Sequence, residues 1–292
     1  MIIIELLGGL GNQMFQYALG RCLSIRKNTE LKLDIDSLLN GLGCTYRKYA
    51  LNVFNIDAEI INNAELGHIR RLKKNKLYRR LHRFYPYSKK VFIREREGFK
   101  SDSNIFKCGE NVYLEGYWQS EKYFIDIEDV IRKEFTICLP QDQENLLLTN
   151  EINNNNSVCV HIRRGDYVTN KNANIFHGVC SMEYYYKAVK YLLDNGIINP
   201  YFFVFSDDPS WARENFKLEY PVKIVDINLN KPYEDLRLMS QCKHFVIANS
   251  SFSWWGAWLS SNSDKIVIAP KRWITDETRD IDDLFPKGWI RI

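Results

Sequence analysis

Apolar positions follow one rhythm near the start of the chain and another, more regular one in its second half. MIIIELL is a strand-like apolar run, and Gly8, Gly9 and Gly11 follow it. Met14, Ala18 and Cys22 then form one i, i+4 row, and Phe15, Leu19 and Leu23 a second, which predicts an amphipathic helix. Strand, glycine turn and helix open an α/β unit. LKLDID (31–36) predicts the next strand, residues 52–106 carry mostly helix and loop signals, and NVYLEGYW (111–118) predicts a strand feeding an aromatic loop. EINNNNS (151–157) has no periodicity and reads as a linker or a polar surface loop; as a linker it divides the chain into domains 1–152 and 157–292.

Beyond the asparagine tract, strands and helices alternate. VCVHI, YFFVFS, VKIVD, HFVIAN and KIVIAP predict strands; Met182–Leu193, DDPSWAREN, YEDLRLMSQC and SFSWWGAWLS predict helices, with Asp208 as a cap and Pro209 in the first helical position. The strands are continuously apolar, as buried strands of a parallel sheet are. The fold class is therefore α/β, and the second half is a doubly wound Rossmann-like domain that binds its ligand outside the carboxyl ends of its strands.

Three polar clusters fall on that rim. Arg163, Arg164, Gly165 and Asp166 follow the first strand, Asp207 and Asp208 the second, and Asn249, Ser250, Ser251 and Ser253 a later one. Arginines grip phosphate oxygens bidentately and a helix N-terminus offers free N–H groups, so the rim suits a phosphorylated ligand. A surface Arg–Asp pair in a turn is the plainer account of RRGD. His161 reads as a buried, satisfied histidine, although alternation sends it to the same face as Arg163. The N-terminal GGLGNQ is neither a dinucleotide fingerprint nor a P-loop; it implies close backbone approach at Gly9 and Gly11, with Asn12 and Gln13 able to donate amide N–H groups.

Composition narrows the partners. The net charge of +4 does not point to nucleic acid, and the 45% hydrophobic and 26% charged content is that of an ordinary globular protein. Its distribution is uneven, for no acidic residue lies from Leu66 to Arg94, where HIRRLKKNKLYRRLHR sets Ile69, Leu72, Leu77, Leu81 and Phe84 roughly on one helical face. That stretch reads either as a solvated basic face or as an amphipathic helix on an anionic inner membrane. The 7 cysteines, Cys44 among them, lack metal-ligand spacing and predict reduced thiols in a cytoplasmic protein without signal peptide or membrane span. Asp34-Ile35-Asp36 and Asp280-Ile281-Asp282 match a loose metal-binding pattern, but each has a simpler structural account, and no metal site is expected. No serine elbow or HExxH pair is present.

GGLGNQMFQYALG, EGYWQSEKYF, HIRRGDY, FSDDPSWA and NSSFSWWGAWLS, in that order, resemble the α-1,2-fucosyltransferases of glycosyltransferase family 11. The resemblance implies a GT-B architecture of two facing Rossmann-like domains, a GDP-β-L-fucose donor, inversion at the anomeric carbon, a terminal galactose 2-hydroxyl as acceptor on a glycan, and no required cofactor or metal. It implies that Arg163 contacts the donor diphosphate with Arg164 in support, that His161 contacts the guanosine end, that Asp235 binds guanine, and that Ser250 and Ser251 contact phosphate. Asn12, in the loop of Gly9 and Gly11, would face the diphosphate or fucose. A glutamate that some distant α-1,6 relatives use as base is matched here by Lys171, so that role does not carry over.

The acceptor hydroxyl still needs a base, and Asp166 is the candidate, with an ion pair orienting Arg163 or Arg164 as its alternative role and Glu5 as a second candidate base. Tyr117, Trp118 and Gln119 are expected on the acceptor side, and Trp254 and Trp255 in the core. Two other readings fit the same motifs: a fucosyltransferase of another linkage, and a non-catalytic GDP-sugar or glycan-binding protein.

Overall fold

The computed structural model describes residues 1–39 and 47–292, so Cys44 lies outside the described residues. The chain divides into two units, Met1–Cys138 with Asp280–Pro286, and Leu139–Arg279 with Lys287–Ile292.

The first unit runs β1 (Ile2–Glu5), α1 (Leu10–Lys27), β2 (Leu31–Asp34), α2 (Asp36–Leu39), β3 (Glu59–Ile60), α3 (Asn63–Lys74), α4 (Lys76–His82), β4 (Phe92–Arg94), β5 (Val112–Glu115) and α5 (Glu128–Glu134). Its sheet has the order β3-β2-β1-β5-β4 with every pair parallel. β1 is three buried isoleucines, the β-branched content expected of a strand covered on both faces. Gly8 makes the turn into α1 at φ 75°, and a Cβ there would stand 2.4 Å from the Asn12 Nδ2. The helix ends at Asn28 in the left-handed conformation, with Arg26 and Lys27 in its last turn.

The expected amphipathic character of α1 is not what forms. Both apolar rows are buried, and so are Gln13, Gln16 and Tyr17 between them, so the helix is enclosed on most of its circumference. Residues 52–106 supply two strands, β3 and β4, that are too short to show a period and exist by pairing Lys32 with Glu59 and Phe92 with Tyr113. The basic stretch is not one helix either. Asn75 ends α3 and caps α4, its side chain accepting from the Tyr78 N–H.

The second unit runs α6 (Gln143–Asn153), β6 (Asn156–Ile162), α7 (Gly165–Thr169), α8 (Lys171–His177), α9 (Met182–Asp194), β7 (Pro200–Ser206), α10 (Pro209–Asn215), β8 (Val222–Val225), α11 (Pro232–Gln241), β9 (His244–Val246), α12 (Ser251–Leu259), β10 (Val267–Ala269) and β11 (Ile290–Arg291). All strands are parallel, in the order β11-β10-β9-β6-β7-β8. Counted from the unit's own first strand this is the doubly wound 3-2-1-4-5-6 order, which changes direction between β6 and β9. Val158, Val160 and Ile162 pack with Phe202, Val204 and Leu192 in its core. Trp254 and Trp255 are fully buried, as expected.

The expected linker and the boundaries at 152 and 157 are corrected. The asparagine tract is the end of α6 and the start of β6, and α6 belongs to the second unit, where buried Asn145 exchanges amide hydrogen bonds with Asn228. Asp280–Pro286 returns to the first unit because the Asp283 carboxylate takes the N–H and hydroxyl of Ser101 and the ammonium of Lys122. Among the described residues no helix is long and apolar enough to cross a membrane.

Candidate active site

A doubly wound sheet leaves a crevice beyond its carboxyl edge where the strand order reverses. In the second unit that point lies between β6 and β9, and the residues following those strands are Arg163–Asp166 and Asn249–Ser251. Arg163 reaches the Asp166 carboxylate at 2.5 Å and the Asp207 carboxylate at 2.9 Å, with Tyr167 under its guanidinium at 5.3 Å. Arg164 approaches Asp208 at 3.3 Å and lies 3.8 Å above the Trp211 ring, while its backbone N–H donates to Asp207. A Cβ on Gly165 would stand 2.2 Å from the Asp207 Oδ2, so only glycine lets this turn close on that carboxylate. The carboxylates fix the direction of both guanidinium groups, and a five-donor guanidinium with two nitrogens so engaged keeps N–H groups for a ligand.

His161 is buried but not satisfied, contrary to the plainer expectation. Among the described residues its Nδ1 has no hydrogen-bond partner, and burial, then the nearby Arg163 charge, lowers its pKa to about 3, so the ring is neutral. A buried ring nitrogen near the Arg163 charge is a polar group with which a ligand can pair. Asp235, in the first turn of α11, accepts from the Asn228 amide, and burial pushes its carboxyl up to about 7. Ser250 caps α12, accepting from the Phe252 N–H, and Ser251 is the helix's first residue.

Two residues of the expected serine cluster turn inward. Asn249 donates to the carbonyls of His177, Gly178 and Trp273 and accepts from the Cys180 thiol. Ser253 donates to the Ala248 and Ser250 carbonyls. Both shape the loop. Asn249 also borders a cavity of about 300 Å³ whose lining includes His177, Lys271 and Arg272. Asp207 and Asp208, weighed as a cation pair, are taken up by the arginines and by the Trp211 N–H. The Asp34–Asp36 pair is likewise taken up, by Tyr113 and Arg70.

In the first unit β1 lies beside β5, and the loops that follow these two strands are joined by amides. Gln16 accepts the Leu7 N–H and donates to the Gly116 carbonyl, tying the loop after β1 to the loop after β5. Gln119 donates to the Asn12 Oδ1 at 2.7 Å. Gln13 donates to the Gly8 and Lys48 carbonyls and accepts from the Ala50 N–H. Nothing stands within 4 Å of a Cβ at Gly9, so the backbone is open there, whereas Gly11 is buried inside α1. Glu5, at the end of β1, accepts from the Ser37 hydroxyl, and burial raises its pKa.

Trp118 is not an aromatic face for a sugar, as expected from the sequence. It is 2% exposed and meets Tyr123 edge-on, and only Tyr117, 46% exposed, is outward. The residue that holds this loop was missed. Glu95, just beyond β4, accepts the backbone N–H groups of Tyr117 and Trp118 at 2.6 and 2.9 Å, and burial pushes its carboxyl up to about 7. No local motif marks a carboxylate whose partners lie 22 and 23 residues away.

Comparisons with known proteins agree with this layout. The family model described as Glycosyl transferase family 11 matches residues 1–292. An α-1,2-colitosyltransferase of Escherichia coli is 37% identical, covering 100% of this chain and 99% of its own. The O-antigen biosynthesis glycosyltransferase WbnK of Escherichia coli is 36% identical over 98% of each. A galactoside 2-α-L-fucosyltransferase of Caenorhabditis elegans is 26% identical, covering 100% of this chain and 79% of that one. Among solved structures, an Arabidopsis thaliana FUT1 mutant in complex with GDP matches with a TM-score of 0.56 at 10% identity, covering 99% of this chain and 75% of that one, which shows the shared GT-B type fold.

Proposed function

The chain belongs to glycosyl transferase family 11, and on that premise we propose that it transfers L-fucose from GDP-β-L-fucose, with inversion and without an essential metal, to the 2-hydroxyl of a terminal galactose on a glycan. The observation that carries this reading is the convergence of Arg163, Arg164 and buried, neutral His161 with the N-terminus of α12 at the strand-order reversal. That set supplies fixed positive charge, N–H groups and a neutral ring nitrogen, which match a diphosphate with a nucleoside at one end.

In this reading Arg163 bears on the oxygen that becomes the leaving diphosphate, and the N-terminal N–H groups of α12 with Ser251 share the developing charge. Ser250, spent on the cap, acts mainly by holding that helix start. Asp235 accepts guanine N–H groups, and because its pKa is raised, donor binding draws a proton off it near neutral pH. Departure of GDP leaves an oxocarbenium-like fucosyl centre. The acceptor hydroxyl gives up its proton to a carboxylate. Asp166 already accepts from Arg163, which favours a positioning role, and the raised pKa of Glu5 suits a base.

A second donor is favoured by one observation, the 37% identity to an α-1,2-colitosyltransferase. Colitose is fucose without its 3-hydroxyl, so the same diphosphate and guanine contacts would serve both. The test is GDP release from GDP-fucose and from its 3-deoxy counterpart, with and without lactose, in excess EDTA, followed by NMR of the product. Lactose-stimulated release from GDP-fucose with a new α-1,2 linkage supports the proposal. Turnover of the 3-deoxy donor alone replaces fucose by colitose, and GDP binding without stimulated release overturns the acceptor.

A further inference from the structure

Between Leu66 and Arg94 the chain has eleven Lys and Arg and no Asp or Glu. With +4 for the whole protein, that formal +11 leaves −7 for all remaining residues. The charge is concentrated on one part of the first unit, and the two helices there use it differently.

α3 turns inward. Leu66 is buried against Ile3, Ile61 and Tyr113. Arg70 pairs with Asp36, and Lys73 pairs with Glu115 and lies 4.4 Å from the centre of the Tyr113 ring. α4 is anchored on one side only. His82 is buried, stacks on Phe92 at 4.2 Å and accepts the Val91 N–H, which fixes the helix to the start of β4.

The opposite side of α4 is exposed. Leu77, Leu81 and Phe84 are 67%, 52% and 74% exposed and follow i, i+4, i+7 spacing, so they form one stripe. Lys76, Arg80 and Arg83 repeat that spacing one residue earlier, about 100° around the helix. All three are exposed and, among the described residues, none forms an ion pair; the Arg83 guanidinium lies 5.2 Å over the Phe84 ring.

We propose that this face of α4 and of the turn that follows it, Leu77, Leu81 and Phe84 flanked by Lys76, Arg80 and Arg83, docks the protein on an anionic lipid bilayer. The charge pattern selects the occupant. A nucleic acid would neutralise the cations and leave three large apolar side chains in water. A bilayer interface takes the apolar stripe among its acyl chains and the long cationic side chains at its phosphates together. The inference is independent of which sugar is transferred.

The experiment is co-sedimentation of the full chain with vesicles of phosphatidylcholine and with equimolar phosphatidylcholine–phosphatidylglycerol. Wild type is expected to pellet with the anionic vesicles only, and less as salt rises. The K76Q/R80Q/R83Q variant should lose about fivefold in partitioning per cation, about a hundredfold in all. The L77S/L81S/F84S variant should lose at least about tenfold relative to wild type at each salt concentration. All six side chains are exposed, so unchanged far-UV circular dichroism and melting certify folding. Equal binding of wild type to both vesicle types overturns the proposal, as does either triple variant pelleting like wild type. Binding to single-stranded RNA, lost in the charge variant, with no binding to vesicles, overturns it in favour of nucleic acid.

Discussion

The two units order their parallel strands differently, β3-β2-β1-β5-β4 against β11-β10-β9-β6-β7-β8, and they also furnish the ends of their central strands differently. After β6 and β9 the rim is ionic, with Arg163 and Arg164 held by Asp166, Asp207 and Asp208. After β1 and β5 it is built from neutral amides, Asn12, Gln13, Gln16 and Gln119, with Glu95 bracing the loop from behind. One rim holds fixed charge, and the other joins its loops through oriented amide hydrogen bonds. The topology sets where a ligand binds, and the side chains decide which part of it is recognised.

The comparison breaks most readily at Arg163. Arg163→Ala should lower turnover by about 10²–10³-fold, about 3–4 kcal/mol of transition-state stabilisation, while thermal stability changes little. Single-turnover GDP release measures it, and a variant within threefold of wild type would remove the ionic rim from catalysis.

Glu95 tests the amide rim through stability. Its carboxyl rises from 4.5 to about 7 on folding, so the folded state prefers the neutral acid. Its contribution is present in full below pH 4.5 and is lost as pH rises through about 7, at about 2–4 kcal/mol. Urea midpoints of wild type and Glu95→Gln across that range should converge at one end and separate at the other, with the flatter curve for the variant. Parallel curves would mean that the carboxyl titrates normally.

Asn249→Ala removes the donor shared by three carbonyls and should cost about 1–3 kcal/mol, read as a fall in melting temperature. The smallest effect is expected at Asp235. GDP affinity should weaken below pH 7, by at most about tenfold per unit, and Asp235→Asn should bind more weakly overall but without that slope. Calorimetry in buffers of different ionisation enthalpy would detect the proton released by wild type, and a pH-independent wild type would place guanine elsewhere.

Much of the second unit was legible because buried parallel strands are continuously apolar and their ends carry a few polar residues in sequence. VCVHI before RRGD and HFVIAN before SSFS are short-range patterns, and the structure keeps them at adjacent strand ends. α7 and α8 were not legible, being short helices with no period, and neither was β11, a two-residue strand that exists only by pairing with β10.

The basic stretch shows the same limit. Its charge is plain in the sequence, but whether a cation faces inward depends on Glu115 and Asp36, which come from β5 and α2. A linker was read from a polar tract because the Asn145–Asn228 bonds that draw α6 into the second unit span 83 residues.

The sequence by itself determined the α/β class, the family and the residues at the strand ends, because side-chain period and strand–turn–helix grammar are properties of neighbours along the chain. Only the tertiary structure decided which of those residues are already committed to other protein groups. Asp207 on Arg163, Asn249 on three carbonyls and Glu95 under its loop all depend on partners more than 20 residues away. A hydrogen bond or a burial is settled by distance in space, which a linear pattern does not encode.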